Sequence, residues 1–469
     1  MARDVSDETP IGSRDELVAW IEAGCKPPHE FRLGTEHEKV PYYIDDLSPV
    51  PFGGRSGKGG IEALLDGLRD HSNWAEIRDR GQLIGLFDET GGGAISLEPG
   101  GQFELSGAPV VTVHETATEF AKHLADIAPV ADALGIGFLD LGMSPRWTRA
   151  QTPVMPKQRY GIMAGYMPKV GGHGLDMMFR TATVQTNLDF SDEADMVAKL
   201  RASVALQPVI TALFANSPFT DGKPNGFRSM RSRIWQDTDA DRTGMLPFAF
   251  EDGMGFERYV DYALRVPMYF VKRGDVYHDV AGADFRALLE GRLPQMPGAR
   301  ATLSDWANHL STIFPEVRLK RFLEMRGADM GPAPHVSALP ALCAGLFYDA
   351  QALDAANTLV SEWSADDRGQ LRADVPAKAL SATVAGRDLV EVSREVLTIA
   401  RGGLVRRARR DASGRDESIY LAPLDAIVEK RRTRADDLLS MFDGAWGGNV
   451  DAAFTDCRLA LPAAAQAAA

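Results

Sequence analysis

The sequence predicts a soluble, globular α/β protein in which antiparallel strands carry helices packed on them. Three observations support this. Residues 31–40 alternate with period two and set two glutamates on one face, residues 83–105 hold short apolar runs broken by glycines, and apolar or amphipathic helical spacing recurs from residue 112 onward.

Taken in order, Ser13 with Glu16 three positions on forms a capping box, so a first helix runs over 13–24 and ends at Gly24. From Phe31 to Val40 the pattern becomes that of a strand, with Phe31, Leu33, Thr35 and His37 on one side and Arg32, Gly34, Glu36 and Glu38 on the other. The stretch FGGRSGKGG at 52–60 fails the GxxxxGK[ST] pattern, because Gly59 follows Lys58 and the first glycine is misplaced. It reads as a flexible connection that could cover a nucleotide, ahead of a helix near 61–69. Gly91, Gly92 and Gly93, then Pro99, Gly100 and Gly101, punctuate antiparallel strands between Leu83 and Leu105. Thr112 and Glu115 cap a helix whose stripe of Ala117, Phe120, Leu124, Ile127, Ala131 and Leu134 packs on the sheet and stops at Gly135. A short strand at 136–141 and a proline-rich connection precede a long strand at 177–190, with Thr181, Thr183, Gln185 and Asn187 on one face. Ser191 caps a helix to Phe214, bent at Pro208. Beyond residue 345 the chain becomes mainly helical, at 349–363, 386–401 and 423–442, before an Ala-rich tail that frays from Leu461.

Composition narrows the function classes. With 469 residues the chain can form two or three domains, or one large unit with a subsidiary lobe. Hydrophobic residues at 45% and charged residues at 25% match folded soluble domains and leave no case for disorder. A formal charge of −14 argues against nucleic acid as the main partner, since that binding rests on Lys and Arg neutralising phosphates. The most apolar region, 338–347, is too short for a bilayer span, and the polar first ten residues lack a secretion signal, which predicts a cytoplasmic protein with no membrane partner. Cys25, Cys343 and Cys457 are far apart and form no CxxC, so they read as structural thiols.

Two constellations carry chemistry. Glu36 and Glu38 at i, i+2, with Glu98 and Glu104 flanking the turn in LEPGGQFEL, could supply oxygens to Mg²⁺; alone, the first pair would read as the solvated face of an edge strand. Arg159, Arg180, Arg228, Arg231 and Arg233 offer planar forks for carboxylate or phosphate. Arg180 shares a strand face with Met178, Ala182, Val184 and Leu188, so it either pairs with a buried acid or faces a cleft. Trp235 either walls a pocket or sits in the core, and VRRARR at 405–410 reads as a solvated helix face. No zinc spacing among the histidines and no GxSxG or GxGxxG in a strand-to-helix setting appears, which removes support for hydrolase and dehydrogenase readings.

The segments GTEHEKVPY, SLEPGGQFELSGAP, MPKQRYGIMAGYMPKVG, LDMMFRTATVQTNLDFSDEADM, LFANSPFTDGKPNGFRSMRSRIWQDTD and FPEVRLKRFLEMRGAD closely resemble the plant and proteobacterial type of glutamate–cysteine ligase, in order over residues 12–447. The resemblance implies an α+β, glutamine synthetase-like core in which a curved, mainly antiparallel sheet forms a funnel, with helices behind it and a helical C-terminal part from about residue 345. It implies a single catalytic unit over 12–447 followed by the tail at 448–469. The implied reaction joins L-cysteine to the γ-carboxylate of L-glutamate through a γ-glutamyl phosphate, with ATP as co-substrate and two or three Mg²⁺ ions, as the first step of glutathione biosynthesis. Carried over by position, Glu36, Glu38, Glu98 and Glu104 would bind metal, and Arg159 and Arg231 would be catalytic and substrate-binding. Arg180, Arg233, Trp235, Gln185 and Asn187 complete the expected substrate-binding set. The loop at 53–60 is a plausible lid. Plant members carry further cysteines that form redox-sensitive disulfides, a pattern the three here do not reproduce. A monomer or weak homodimer is expected.

Two other readings stand beside this one: a carboxylate–amine ligase with a different acceptor amine, and a binding protein that retains the fold without catalysis. The first would turn over with another amine, and the second would bind ligand without releasing phosphate.

Overall fold

The longest strand, β1 (Leu33–Tyr43), runs through the middle of the sheet in a computed structural model that describes residues 7–462. Eight further strands join it: β2 (Ala75–Asp79), β3 (Gln82–Phe87), β4 (Ala94–Leu97), β5 (Phe103–Ser106), β6 (Ile136–Leu139), β7 (Thr183–Leu188), β8 (Val317–Leu319) and β9 (Leu323–Asp329). The sheet order is β8-β9-β7-β1-β5-β4-β3-β2, with β6 against the distal half of β1. Each of these pairings is antiparallel, as the hairpin signals required.

Alternation along β1 decides what each face carries. Glu36 and Glu38 point to one side, while Thr35, His37 and Lys39 point to the other and are buried. The back face is covered by a helix at Val113–Leu134, whose Phe120 and His123 rings lie 4.6 Å and 5.6 Å from that of His37. Its Thr112–Glu115 capping box forms as the sequence requires, and Gly135 ends it with φ at +65°, a left-handed conformation that a side chain disfavours. The glutamates of β1 are therefore not a solvated edge: Glu36 and Glu38 are 6% and 9% exposed.

Other elements depart from the sequence reading. Residues 177–190 are not one strand. A helix at Gly174–Arg180 comes first, and β7 begins at Thr183. The apolar run Met177, Met178, Phe179 is ambiguous in period, and the Asp176–Arg180 pair at i, i+4 favours the helix. The next helix, Glu193–Leu213, is capped by Asp192, which accepts from the Asp195 N–H at 2.9 Å, rather than by Ser191. Among the described residues it is the single unbroken helix long and apolar enough to cross a bilayer, and it lies mostly buried in the core. The 52–60 connection is pinned, with Lys58 on Asp45 at 2.5 Å and Arg55 on Asp46. VRRARR is only partly solvated, because Arg407 turns onto the buried Glu417 at 3.2 Å. The segment after 447 is not set apart either: Phe454 packs on Tyr42, and the Leu459 N–H donates to the Phe138 carbonyl at 2.8 Å. The Ala-rich end, 463–469, lies outside the described residues.

The C-terminal helices pack through glycine. The helix Ala333–Phe347 crosses Leu389–Arg407 so closely that a β-carbon at Gly403 would lie 1.9 Å from the Gly345 carbonyl oxygen. Gly403→Ala must push the pair apart, at about 1–3 kcal/mol of stability. A lower urea midpoint at unchanged m-value is the expected result, and a wild-type midpoint would contradict this account of the crossing.

Candidate active site

Strand register assembles the acidic half of a cleft on the front of the sheet. Glu38 on β1 is the cross-strand partner of Glu104 on β5, and Glu104 is that of Ser96 on β4. Glu98 follows β4 at the start of a tight turn, where its N–H donates to the Gln102 carbonyl at 3.0 Å and its own carbonyl accepts from the Gly101 N–H at 2.9 Å. Two glycines make the turn possible. Gly101 sits at φ +89°, and a β-carbon at Gly100 would meet the Phe179 carbonyl oxygen at 2.0 Å.

Burial and mutual repulsion set the chemistry of these acids. Burial, then the charges of Glu98 and Glu104, push the Glu38 carboxyl well above the ordinary range, with Arg231 pulling the other way. Burial and Glu104 push Glu98 up to about 7, opposed by Lys157 and Arg159. Glu104 accepts from the Ser96 and Ser106 hydroxyls at 2.7 Å and 2.8 Å, bonds that favour its ionised form. At Glu38 and Glu98 burial and mutual repulsion outweigh the nearby cations Arg231, Lys157 and Arg159, which leaves the group receptive to a divalent ion. Among the described residues no group of three or more His, Cys, Asp or Glu side chains is placed to hold a metal ion by itself alone, without further ligands such as substrate phosphate or water. Their oxygen chemistry nonetheless fits Mg²⁺, which keeps water and substrate phosphate among its ligands.

Opposite the acids lie cations. Arg231 belongs to a short helix, Met230–Trp235, held in place where the Ser229 hydroxyl donates to Asp329 at 2.8 Å and accepts from the Ser232 N–H at 3.1 Å. Arg231 is 3% exposed and donates through Nη2 to the Arg326 carbonyl at 2.9 Å. Its Nε, like the indole N–H of Trp235, is buried with no hydrogen-bond partner among the described residues. Arg159 comes from the helix Gln158–Tyr166 and lies over the Tyr160 ring at 5.4 Å. The cleft between the halves spans about 900 Å³ of space, part of it open to solvent.

Of the residues singled out in the sequence, Glu36, Glu38, Glu98, Glu104, Arg159, Arg231, Trp235 and Gln185 line this one cleft. Three do not. Arg180 is engaged by Asp221 at 2.6 Å, Asp176 at 3.3 Å and the Trp147 carbonyl at 2.6 Å, which answers its burial with acids rather than with a ligand. Asn187 donates to Glu36 at 3.0 Å and so holds a lining residue without lining the cleft itself. Arg233, two positions beyond Arg231 on its helix, falls on another face. No residue of the 53–60 loop reaches the lining, which removes its role as a lid in this conformation. Sequence reasoning missed Tyr160, Phe314, Arg318 and Arg326, which also line the cleft, and Glu324 beneath them. The signal was present as alternating charge in EVRLK and LEMR among apolar partners.

The antiparallel sheet with helices behind it, carboxylates on its front face and arginines opposite, has the glutamine synthetase-like fold. The chain belongs to glutamate–cysteine ligase family 2 (GCS2), whose model matches residues 32–456. The chloroplastic glutamate–cysteine ligase of Arabidopsis thaliana is 50% identical over 444 residues, covering 95% of this chain and 82% of that protein. Chloroplastic glutamate–cysteine ligase B of Oryza sativa subsp. japonica is 48% identical, covering 95% and 87%. The crystal structure of a Francisella tularensis glutamate–cysteine ligase in complex with AMP shares the fold at TM-score 0.52 and 11% identity, over 98% of this chain and 93% of that one. The relatives' names correct the cytoplasmic expectation: these proteins are chloroplastic, and a polar chain start does not set a compartment.

The raised Glu98 carboxyl makes a stability prediction for the metal-free protein. A folded value of about 7 against an ordinary 4.5 means the contribution is complete below pH 4.5 and lost as pH rises through 7. Glu98→Gln removes that loss. In chelator at pH 8 the variant should melt about 1–3 °C above the parent, with the gap closing by pH 4.5. A parent that melts as high as the variant at pH 8 would show that Glu98 ionises there without strain.

Proposed function

We propose that this cleft makes γ-glutamylcysteine from L-glutamate, L-cysteine and ATP, the first step of glutathione biosynthesis. A free carboxylate is a poor acyl donor because its leaving group would be oxide. An oxygen of the glutamate γ-carboxylate therefore attacks the terminal phosphorus of ATP, and ADP leaves. The cysteine amine then attacks the carbonyl carbon of the γ-glutamyl phosphate, phosphate departs, and the amine loses a proton.

Each half of the cleft supports this reading. Glu36, Glu38, Glu98 and Glu104 would hold Mg²⁺, which when bound offsets charge on the phosphates. Arg159 and Arg231 grip anionic groups of the substrates and offset charge that develops during transfer. Trp235, Phe314, Tyr160, Met163, Met177 and Met178 wall the cleft with apolar surface that excludes water, which would otherwise hydrolyse the acyl phosphate.

The observation that carries the reading is that Glu38, Glu98 and Glu104 share a single cleft with Arg231, where burial and mutual repulsion hold Glu38 and Glu98 above the ordinary carboxylate range. Protein mixed with Mg²⁺, ATP, glutamate and cysteine should yield a product with the mass of γ-glutamylcysteine and one ADP per product. Faster ADP release with another amine than with cysteine would reassign the acceptor. Arg231→Ala should lower kcat/KM by about a hundredfold or more, and Arg231→Lys should not restore it, because an ammonium cannot reproduce the planar fork. Activity within a few-fold of the parent would remove Arg231 from the mechanism.

A further inference from the structure

β9 carries an irregularity opposite β7. Met325 pairs with Thr186, but Ala328 rather than Gly327 pairs with Val184, so one extra residue is inserted beside the cleft. Such bulges bend a strand and re-aim a side chain. Here the side chain is that of Arg326, which lines the cleft and is 11% exposed. Its guanidinium lies beside a pair of rings, 5.9 Å from Trp235 and 5.7 Å from Phe314, which are 5.9 Å from each other. Nη1 donates to Gln185 Oε1 at 2.7 Å and to Glu324. Its other N–H groups make no hydrogen bond to a described residue.

Beneath it, Glu324 is fully buried and gathers three cations. Arg318 donates through Nη2 to both carboxylate oxygens at 2.7 Å and 2.9 Å, Lys320 sits at 2.7 Å, and Arg326 completes the group. Burial works against ionisation of Glu324, but the three cations hold it well below the ordinary carboxylate range. Arg318 has no donor to spare, since its Nη1 is on the carbonyls of Ser311 and Ile313 at 2.7 Å and 3.2 Å. Glu36 is the other acid acting on Arg318 and Lys320, so two carboxylates face three buried cations. An uncompensated buried cation is unfavourable unless an anion arrives. Arg326 is the member of the group that presents unused donors to the cleft.

We propose that Arg326 is a further substrate-binding residue that grips an oxyanion in this cleft, and that Glu324 is the positioning residue holding its guanidinium in place. The inference rests on the ligase reading above. Two substrates offer the required chemistry, the carboxylate of an amino acid and the phosphate of the nucleotide, and a planar fork suits either.

Steady-state kinetics on the full chain tests it, with Arg326→Ala, Arg326→Lys and Glu324→Gln measured against glutamate, cysteine and ATP in turn. Arg326→Ala should raise the KM for one of these by about tenfold to a hundredfold, as expected for a lost hydrogen bond to a charged group, and leave the other two within about twofold. A rise for glutamate or cysteine assigns the carboxylate, and a rise for ATP assigns the phosphate. Arg326→Lys should keep most of the defect. Where Glu324→Gln folds, it should raise the same KM, which a purely structural role would not single out. All three KM values unchanged in Arg326→Ala, or a fall in kcat alone, would overturn the proposal. A wild-type protein that forms no γ-glutamylcysteine would instead overturn the ligase reading, and the two failures are thereby separate.

Discussion

Carboxylates repel one another, and a fold that presses three of them together out of water has placed them for something other than stability. In this protein the pressing is done by backbone geometry. Glu38 and Glu104 are cross-strand partners, and Glu98 is brought back over them by a turn that only glycine can make at Gly100 and Gly101. Sheet hydrogen bonds fix the register, so the side chains cannot separate without breaking the ladder. The rest of the front face follows from this constraint. A divalent cation would relieve the repulsion, and the arginines opposite face the anions that accompany it.

The opposite half has the complementary imbalance. Arg318, Lys320 and Arg326 surround Glu324, while Arg231 keeps an unpartnered Nε in a buried setting. Each half is thus incomplete alone, and each lacks the kind of charge that a metal–nucleotide complex and an amino acid would bring. Arg180 shows the contrast. It is as buried as the cleft arginines and its Nε also lacks a partner, but Asp176 and Asp221 balance its charge, and it has no part in the cleft.

Much of this was legible in the sequence because it is periodic. The i, i+2 spacing of Glu36 and Glu38 gave their common face, and the PGG turn gave the approach of Glu98 and Glu104. Capping boxes at Ser13 and Thr112 placed their helices correctly. What escaped was set by tertiary partners. The run from Met177 to Arg180 satisfies either period, so its packing and the Asp176–Arg180 pair make it a helix. Asn187 stands on the right strand face, yet its distance from the cleft depends on how Glu36 is held. Alternating charge in EVRLK and LEMR was visible, but not that the two segments are adjacent strands sharing one buried acid, since pairing across a hairpin is a property of the fold.

β1 also constrains how this sheet can change. Its front carries Glu36 and Glu38, and its back carries His37 and Lys39, whose Nζ lies 3.0 Å from the imidazole Nδ1. A slip or deletion of one residue in this strand would exchange the faces, bringing an imidazole and an ammonium forward and sending two carboxylates against the rings of Phe120 and His123. The sign of the cleft would invert and the core behind it would be ruptured in a single event. Insertions and losses are therefore barred from this strand more strictly than substitutions, and variation in its length has to fall beyond Tyr43, in the Asp45–Ser48 turn.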